Sequence, residues 1–220
     1  MKNYQYILLD WDGNLARTLD IWLDAFRVVL NNRGFYPSDQ EIAASFGGLS
    51  TYLVSLGATD AHEAYLEADK IARQTLPDVE LYPDALNVLL RLHRLNKQLA
   101  LITTTSRKNV VETLTKHGMH QLFSVIVAGD DVTHHKPHPE PLERGLELLN
   151  GQKDLAVMIG DSDKDISAAN NFGIDSILFY PPEHRKFYDL EVLKSLKPTY
   201  VVDDFRKVID IVTDLPEASA

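Results

Sequence analysis

Two carboxylates, Asp10 and Asp12, stand either side of Trp11 where a short apolar run, Tyr6-Ile7-Leu8-Leu9, gives way to Gly13-Asn14. Spaced this way they can serve different roles, and Gly13 permits a backbone turn that most residues resist. Alone, such a corner reads equally well as a solvated turn. Three further polar clusters change that reading. Thr103 follows Leu99-Ala100-Leu101-Ile102, Lys136 sits in His135-Lys136-Pro137-His138-Pro139, and Gly160-Asp161-Ser162-Asp163-Lys164-Asp165 follows Leu155 to Ile159.

The elements that must position these residues are strands. Ile7 to Leu9 read as a strand buried on both faces, as in the middle of a parallel sheet. Leu99–Thr103, Ser124–Ala128, Leu155–Ile159 and Ser176–Phe179 repeat the pattern, and Tyr200–Val202 suits an edge. Helical spacing separates them: Asp84 to Leu95, with Leu86, Leu89, Leu90 and Leu92 on its buried side; about Lys108 to His117, with Gly118 just past it; and about Glu140 to Leu149. Strands alternating with helices imply right-handed crossovers and a parallel sheet. The stretch from about 16 to 82 differs, since it shows helical spacing from Ala16 to Arg33 and from Asp60 to Gln74, a helix start at Ser38-Asp39 with Glu41, and no convincing strand. Leu215 to Ala220 reads as a loose tail.

In a parallel sheet the polar strand ends share one edge, where open α/β sheets place their ligands. Asp10, Asp12, Asp161, Asp163 and Asp165 would repel there, and raised pKa values or a bound cation relieve the repulsion. An oxygen-rich site suits a hard cation such as magnesium. Thr103 and Lys136 are then placed to hold an anion, and a phosphoryl group is the natural one. A calcium loop is excluded: Asp161-x-Asp163-x-Asp165 and Asp10-x-Asp12-x-Asn14 have Ile166 and Leu15 where glycine is needed, and Phe172 and Ile21 where glutamate is needed.

Composition narrows the function further. The 220 residues include no cysteine, which removes disulfides, zinc thiolates and thiol nucleophiles. A net charge of -10 argues against nucleic acid as the partner. The N-terminus lacks the apolar stretch of a signal peptide, and no segment approaches the ~20 apolar residues needed to cross a bilayer. A cytoplasmic location and no membrane partner are expected; the oligomeric state stays open.

Asp10-x-Asp12-Gly13, Thr103, Lys136-Pro137 and Gly160-Asp161-x-x-x-Asp165, in this order and on these elements, resemble the four motifs of the haloacid dehalogenase superfamily. The helical insert resembles the cap of its phosphoglycolate phosphatase and β-phosphoglucomutase branch. The resemblance implies an α/β fold: a Rossmann-like parallel sheet core, residues 1–15 and 83–220, with a small helical cap domain, residues 16–82, inserted into it. It implies a magnesium-dependent phosphatase of a small phosphorylated metabolite. Asp10 would be the nucleophile, forming an aspartyl-phosphate, and Asp12 the acid and then the base. Thr103, Thr104 and Lys136 would bind the phosphoryl group, and Asp10, Asp12 (through its carbonyl), Asp161 and Asp165 would serve the metal.

The chain departs from the pattern at Asn14, usually threonine, at Thr104, commonly asparagine or serine, and at Arg17, where many relatives carry an acid. Arg17 lies where the chain leaves the core, so it could grip an anionic group of the substrate; the alternative is a surface pair with Asp20 or Asp24. His134, His135 and His138 read as loop residues, Asp163 as a solvated turn residue, and Trp11 and Trp22 as packing. A phosphomutase and a non-catalytic binding module remain as alternatives, while Asp12 argues against a dehalogenase.

Overall fold

Alternate residues of β1 (Tyr6–Leu9) serve opposite faces of one sheet: Ile7 and Leu9 enter one apolar cluster and Leu8 another, all three fully buried. The computed structural model describes residues 2–213. The insert follows as α1 (Leu19–Asn32), α2 (Asp39–Ala44), α3 (Leu49–Ser55) and α4 (Ala61–Ala72). The chain continues through α5 (Ala85–Arg94), β2 (Gln98–Ile102), α6 (Arg107–Lys116), β3 (Val125–Val127), α7 (Glu140–Leu148), β4 (Ala156–Gly160) and α8 (Asp163–Phe172). It closes with β5 (Asp175–Phe179), α9 (Leu190–Ser195), β6 (Tyr200–Val202) and α10 (Lys207–Thr213). Among the described residues no helix is long and apolar enough to cross a membrane.

All six strands run parallel in the order β3-β2-β1-β4-β5-β6. The sequence expectation of a parallel α/β sheet with β6 at an edge is met. One face is covered by α5, α6 and α10, through residues such as Leu89, Leu114 and Val208; the other is covered by α7 and α8, through Leu142, Leu146 and Phe172. From β1 the chain first builds toward β3 and then returns to lay β4 on the other side of β1. The switch point therefore falls between β1 and β4, and the crevice beyond their carboxyl ends is where such sheets bind ligands.

The insert has its own apolar cluster, made by Leu23, Phe26 and Leu30 of α1, Ile42 of α2, Leu53 of α3 and a small-residue face of α4 (Ala64, Ala68, Ala72). Alanines on α4 let it approach α1 closely. Phe187, from the segment after β5, joins this cluster and ties the insert to the core. Ser38 opens α2 with the expected reciprocal cap, accepting from the Glu41 amide while Glu41 accepts from the Ser38 amide.

Three local expectations need correction. α1 begins at Leu19 rather than Ala16, because the Leu15 and Ala16 amides both bond back to the Trp11 carbonyl and Ala16 pairs with Asp12 and Leu81. The core side of α5 is Ala85, Val88, Leu89 and Leu92, leaving Leu86 and Leu90 half-buried. α3, α8, α9 and α10 go beyond the sequence reading; α3, α9 and α10 are at most 7 residues long, too short to show a clear helical period, and α8 starts within the acidic cluster that was read as a loop. The expected tail at Leu215–Ala220 lies outside the described residues.

Candidate active site

The four strand-end clusters meet at the β1/β4 switch point. Asp10 follows β1, with its amide bonded to the Ile159 carbonyl of β4 at 2.9 Å. Asn14 donates from Nδ2 to the Asp10 carbonyl at 3.0 Å, so the residue standing in place of threonine still closes the turn. Lys136 reaches in from the loop before α7. Its buried ammonium lies 2.8 Å from Asp10 Oδ1, 2.5 Å from Asp165 Oδ1 and 3.1 Å from the Ile102 carbonyl. One cation thus joins the ends of β1 and β2 to the first turn of α8. Asp165 is fixed on its other oxygen by the Ser162 amide (3.1 Å) and hydroxyl (2.6 Å).

Asp10, Asp161 and Asp165 are all buried and present ligand atoms within 4.8 Å of one another. Burial, with Asp165 and Asp12 adding repulsion, pushes the Asp10 carboxyl up to about 7 even though Lys136 opposes the shift. Burial, then Asp165 and Asp10, raises Asp161 well above the usual carboxylate range. For Lys136 burial works against the charge, but Asp10 and Asp165 outweigh it and hold the ammonium above its ordinary value. Asp161 Oδ2 is buried with no hydrogen-bond partner among the described residues. A carboxylate oxygen left unpaired in an acidic cluster is costly unless a cation faces it. An all-oxygen donor set with a spare oxygen fits magnesium, as the sequence suggests.

Two glycines lie directly against these acids. A Cβ on Gly13 would lie 2.3 Å from Asp161 Oδ2, and Gly13 also has φ +75. A Cβ on Gly160 would lie 2.3 Å from Asp165 Cγ.

Asp12 stands apart from this trio. Its Oδ2 accepts from Thr105 Oγ1 at 2.7 Å and, at the limit of 3.5 Å, from Thr103 Oγ1; its Oδ1 accepts from the indole of Trp22 at 3.0 Å. Thr103 also accepts from the Thr105 amide at 3.1 Å, which turns the strand end toward Asp12. Thr105 and Trp22 are site residues that the sequence reading missed. Thr105 was legible as a hydroxyl two places after Thr103; Trp22 was not, since its spacing on α1 matches that of the apolar residues. Trp22 also packs edge-on against Phe26, so the expectation of packing holds for its ring and not for its N–H.

A cavity of about 300 Å³ lies between the sheet edge and the insert. Asp10, Asp12, Thr104, Lys136 and Asp161 line it, whereas Thr103 does not. Asp163 and Lys164 also reach the cavity, so the expectation that Asp163 is only a turn residue is too narrow. The Lys164 ammonium donates to the Phe46 carbonyl and so links α8 to the insert. Tyr188 lines the cavity as well, and burial followed by the nearby Asp161 and Asp165 raises its phenol well above the usual value.

Arg17 does not line the cavity. Its exposed guanidinium lies 3.6 Å from Glu183 and 5.6 Å from the centre of the Tyr82 ring, so neither Asp20 nor Asp24 is its partner. The backbone explains the direction, because the Arg17 amide is pinned to the Glu80 carbonyl on the far side of the link. His134 stacks on His138 at 4.5 Å and bonds Glu140, which in turn caps the Thr133 and His134 amides, a loop-closing arrangement.

The haloacid dehalogenase-like hydrolase family model matches residues 7–179 of the chain. The pyrophosphatase PpaX of Bacillus mycoides is 28% identical over 212 residues, covering 94% of this chain and 96% of that protein. PpaX of Halalkalibacterium halodurans is 28% identical over 218 residues, covering 94% and 95%. Among solved structures, CbbY from Rhodobacter sphaeroides in complex with phosphate superposes with a TM-score of 0.78 at 22% identity, over 96% of this chain and 100% of that one. A predicted phosphoglycolate phosphatase from Haemophilus somnus gives 0.80 at 21%, over 97% and 100%. At such identities the structural likenesses speak for the fold, while the family match spans every motif at the sheet edge. The chain belongs to the haloacid dehalogenase-like hydrolase family.

Proposed function

We propose that this hydrolase is a phosphatase acting on a small phosphorylated metabolite through a phosphorylated Asp10. The observation that carries the reading is the buried Lys136 ammonium, 2.8 Å from Asp10 and 2.5 Å from Asp165, beside a carboxylate oxygen of Asp161 with no partner among the described residues. Phosphoryl transfer needs positioning and charge neutralisation more than covalent chemistry, and this arrangement supplies both. The names of the relatives, pyrophosphatase and phosphoglycolate phosphatase, support the same class of reaction.

Asp10 attacks phosphorus, forming a new P–O bond as the bond to the leaving oxygen breaks. Asp12, held by Thr105 and Trp22, gives a proton to that leaving oxygen. It then takes one from the water that hydrolyses the aspartyl-phosphate, and Asp10 returns as the free carboxylate. Lys136 and the Thr103–Thr104 turn neutralise and orient the phosphoryl oxygens. Asp10, Asp161 and the Asp12 carbonyl would hold magnesium, which supplies further positive charge against those oxygens. Both oxygens of Asp165 are engaged by Lys136 and Ser162, which suits a role in orienting the set. Residues 16–82 act as the cap over a core of residues 1–15 and 83–220. The test is hydrolysis of p-nitrophenyl phosphate: activity should vanish in excess chelator, return with magnesium and be absent from Asp10→Asn. Full activity in chelator, or more than a few per cent in the variant, would refute it.

A further inference from the structure

Resting on the phosphatase reading, we infer that Lys164 reads the end of the substrate that is not transferred, and that this end is anionic. The substrate is a compact phosphate ester whose leaving alcohol also carries a carboxylate or a second phosphate.

The cations around the cavity differ in what answers their charge. Lys136 is held between Asp10 and Asp165, Arg73 engages Asp69, and Arg17 faces Glu183 outside the cavity. Lys164 lines the cavity and forms no ion pair among the described residues; its partly buried ammonium donates to a neutral acceptor, the Phe46 carbonyl. A partly buried ammonium without a counter-charge keeps part of its desolvation cost, and an anion in the cavity would offset it. Helix stability does not account for a lysine at this place. Lys164 lies in the first turn of α8, where the helix dipole favours anions such as its neighbours Asp163 and Asp165. The bond to Phe46 occupies one of three N–H donors, so the ammonium can hold that carbonyl and an anion together.

The place of Lys164 suits the leaving end. The sheet edge, with Lys136 and the acids, accounts for the transferring phosphoryl group. Lys164 reaches from α8 to Phe46, so its ammonium lies at the seam between core and insert. A cavity of about 300 Å³ is at the small end for ligand sites, so a compact ester anchored at the sheet edge brings its other end close to this seam. Residues 16–82 contribute no lysine, arginine or histidine to the lining, so the counter-charge for a second anion comes from α8. Asp69 and Asp163 line the cavity too, but Arg73 answers the first and the second is exposed to solvent. A carboxylate or phosphate at the seam gains a charge-assisted hydrogen bond from Lys164.

Esters of one chain length separate the possibilities: propyl phosphate, the phosphate ester of 3-hydroxypropanoate, and propane-1,3-diol bisphosphate. Phosphate release is measured for each with magnesium present. For the wild-type enzyme, kcat/KM should favour at least one acidic ester over propyl phosphate by roughly tenfold or more, the worth of one charge-assisted bond. The better of the two acidic esters names the group that is read. Lys164→Met, which keeps the apolar stem, should remove the ratio, chiefly through KM. Lys164→Arg should retain it and Lys164→Glu should invert it. Calorimetry of the intact esters on Asp10→Asn should show the same preference, a readout that needs no turnover. That preference in binding, with no ester hydrolysed by the wild type, would overturn the phosphatase reading alone. Hydrolysis with no preference for either acidic ester would overturn this inference alone. Equal losses on all of the esters in Lys164→Met would make Lys164 a tie between α8 and the insert and overturn the inference as stated.

Discussion

The indole N–H of Trp22 donates to Asp12 Oδ1 at 3.0 Å, so the first helix of the insert holds the carboxylate proposed to move the proton. Trp22→Phe keeps a ring against Phe26 and removes only the donor. A hydrogen bond to a charged group is worth roughly 1.5–3 kcal/mol, so kcat should fall by about tenfold or more. KM for a small ester should change little. A fall confined to KM would make Trp22 a wall of the cavity and nothing else.

Asp12→Ala should slow both halves of the reaction by roughly 10²–10⁴-fold, the usual worth of a positioned proton-transfer group. The measurement needs an ester with a poor leaving group, since p-nitrophenolate departs without help. A loss below tenfold with such an ester would assign the proton to another group.

Asp10 also makes a prediction about stability. Its folded carboxyl is raised from 3.8 to about 7, so the folded state holds a proton that the unfolded chain has given up between those values. The resulting contribution is complete below 3.8 and is lost as pH rises through about 7. In chelator at pH 8, Asp10→Asn should therefore melt higher than the wild type, with the gap shrinking as pH falls toward about 4. A gap independent of pH would show that Asp10 is not the group responsible.

His184 titrates in the opposite sense. Burial, aided by the Arg17 charge, pulls its imidazole from 6.5 down to about 3, and its Nε2 lies 2.7 Å from the Tyr82 hydroxyl. Stability from this group is present above about 6.5 and is lost as pH falls toward about 3. His184→Gln keeps a polar partner for Tyr82 and cannot gain a charge. Its melting temperature should fall less steeply than that of the wild type between pH 6.5 and 4, as followed by circular dichroism.

Arg17→Ala should change stability by less than about 1 kcal/mol, the usual range for an exposed ion pair. It should alter KM equally for aryl phosphates with and without a carboxylate at the far end. A rise confined to the carboxylate ester would bring Arg17 back to the substrate.

The sheet, its edge strand and the meeting of Asp10, Thr103, Lys136 and Asp161 were legible because the strands are short apolar runs, with Asp10, Thr103 and Asp161 at their ends and Lys136 in the loop after β3. A parallel sheet gathers strand ends onto one edge whatever the loops do. Of the partners of Asp12, Trp22 was not legible. Trp22 lies on an amphipathic helix where an indole and a leucine fit the same pattern, and only the packing of the insert on the core reveals the N–H. Tyr188 was hidden for the same reason, more than 150 residues in sequence from Asp12. Arg17 was misdirected by proximity along the chain, since the Glu80 carbonyl, more than 60 residues on, fixes the direction of its backbone.

The space that Gly160 leaves for Asp165 makes the two positions mutationally interdependent. Gly160 lies in a strand and its φ is not positive, so no turn requires it; the three atoms nearest to a methyl group there all belong to the Asp165 side chain. Gly13 is different, because its positive φ would resist a side chain even without Asp161. In a library randomised at all four positions and selected for folding alone, alanine at 160 should arise together with a smaller residue at 165. Position 13 should stay glycine whatever occupies 161. Such a library would tell apart a glycine kept for its backbone and one kept for its neighbour, with no assay of the reaction.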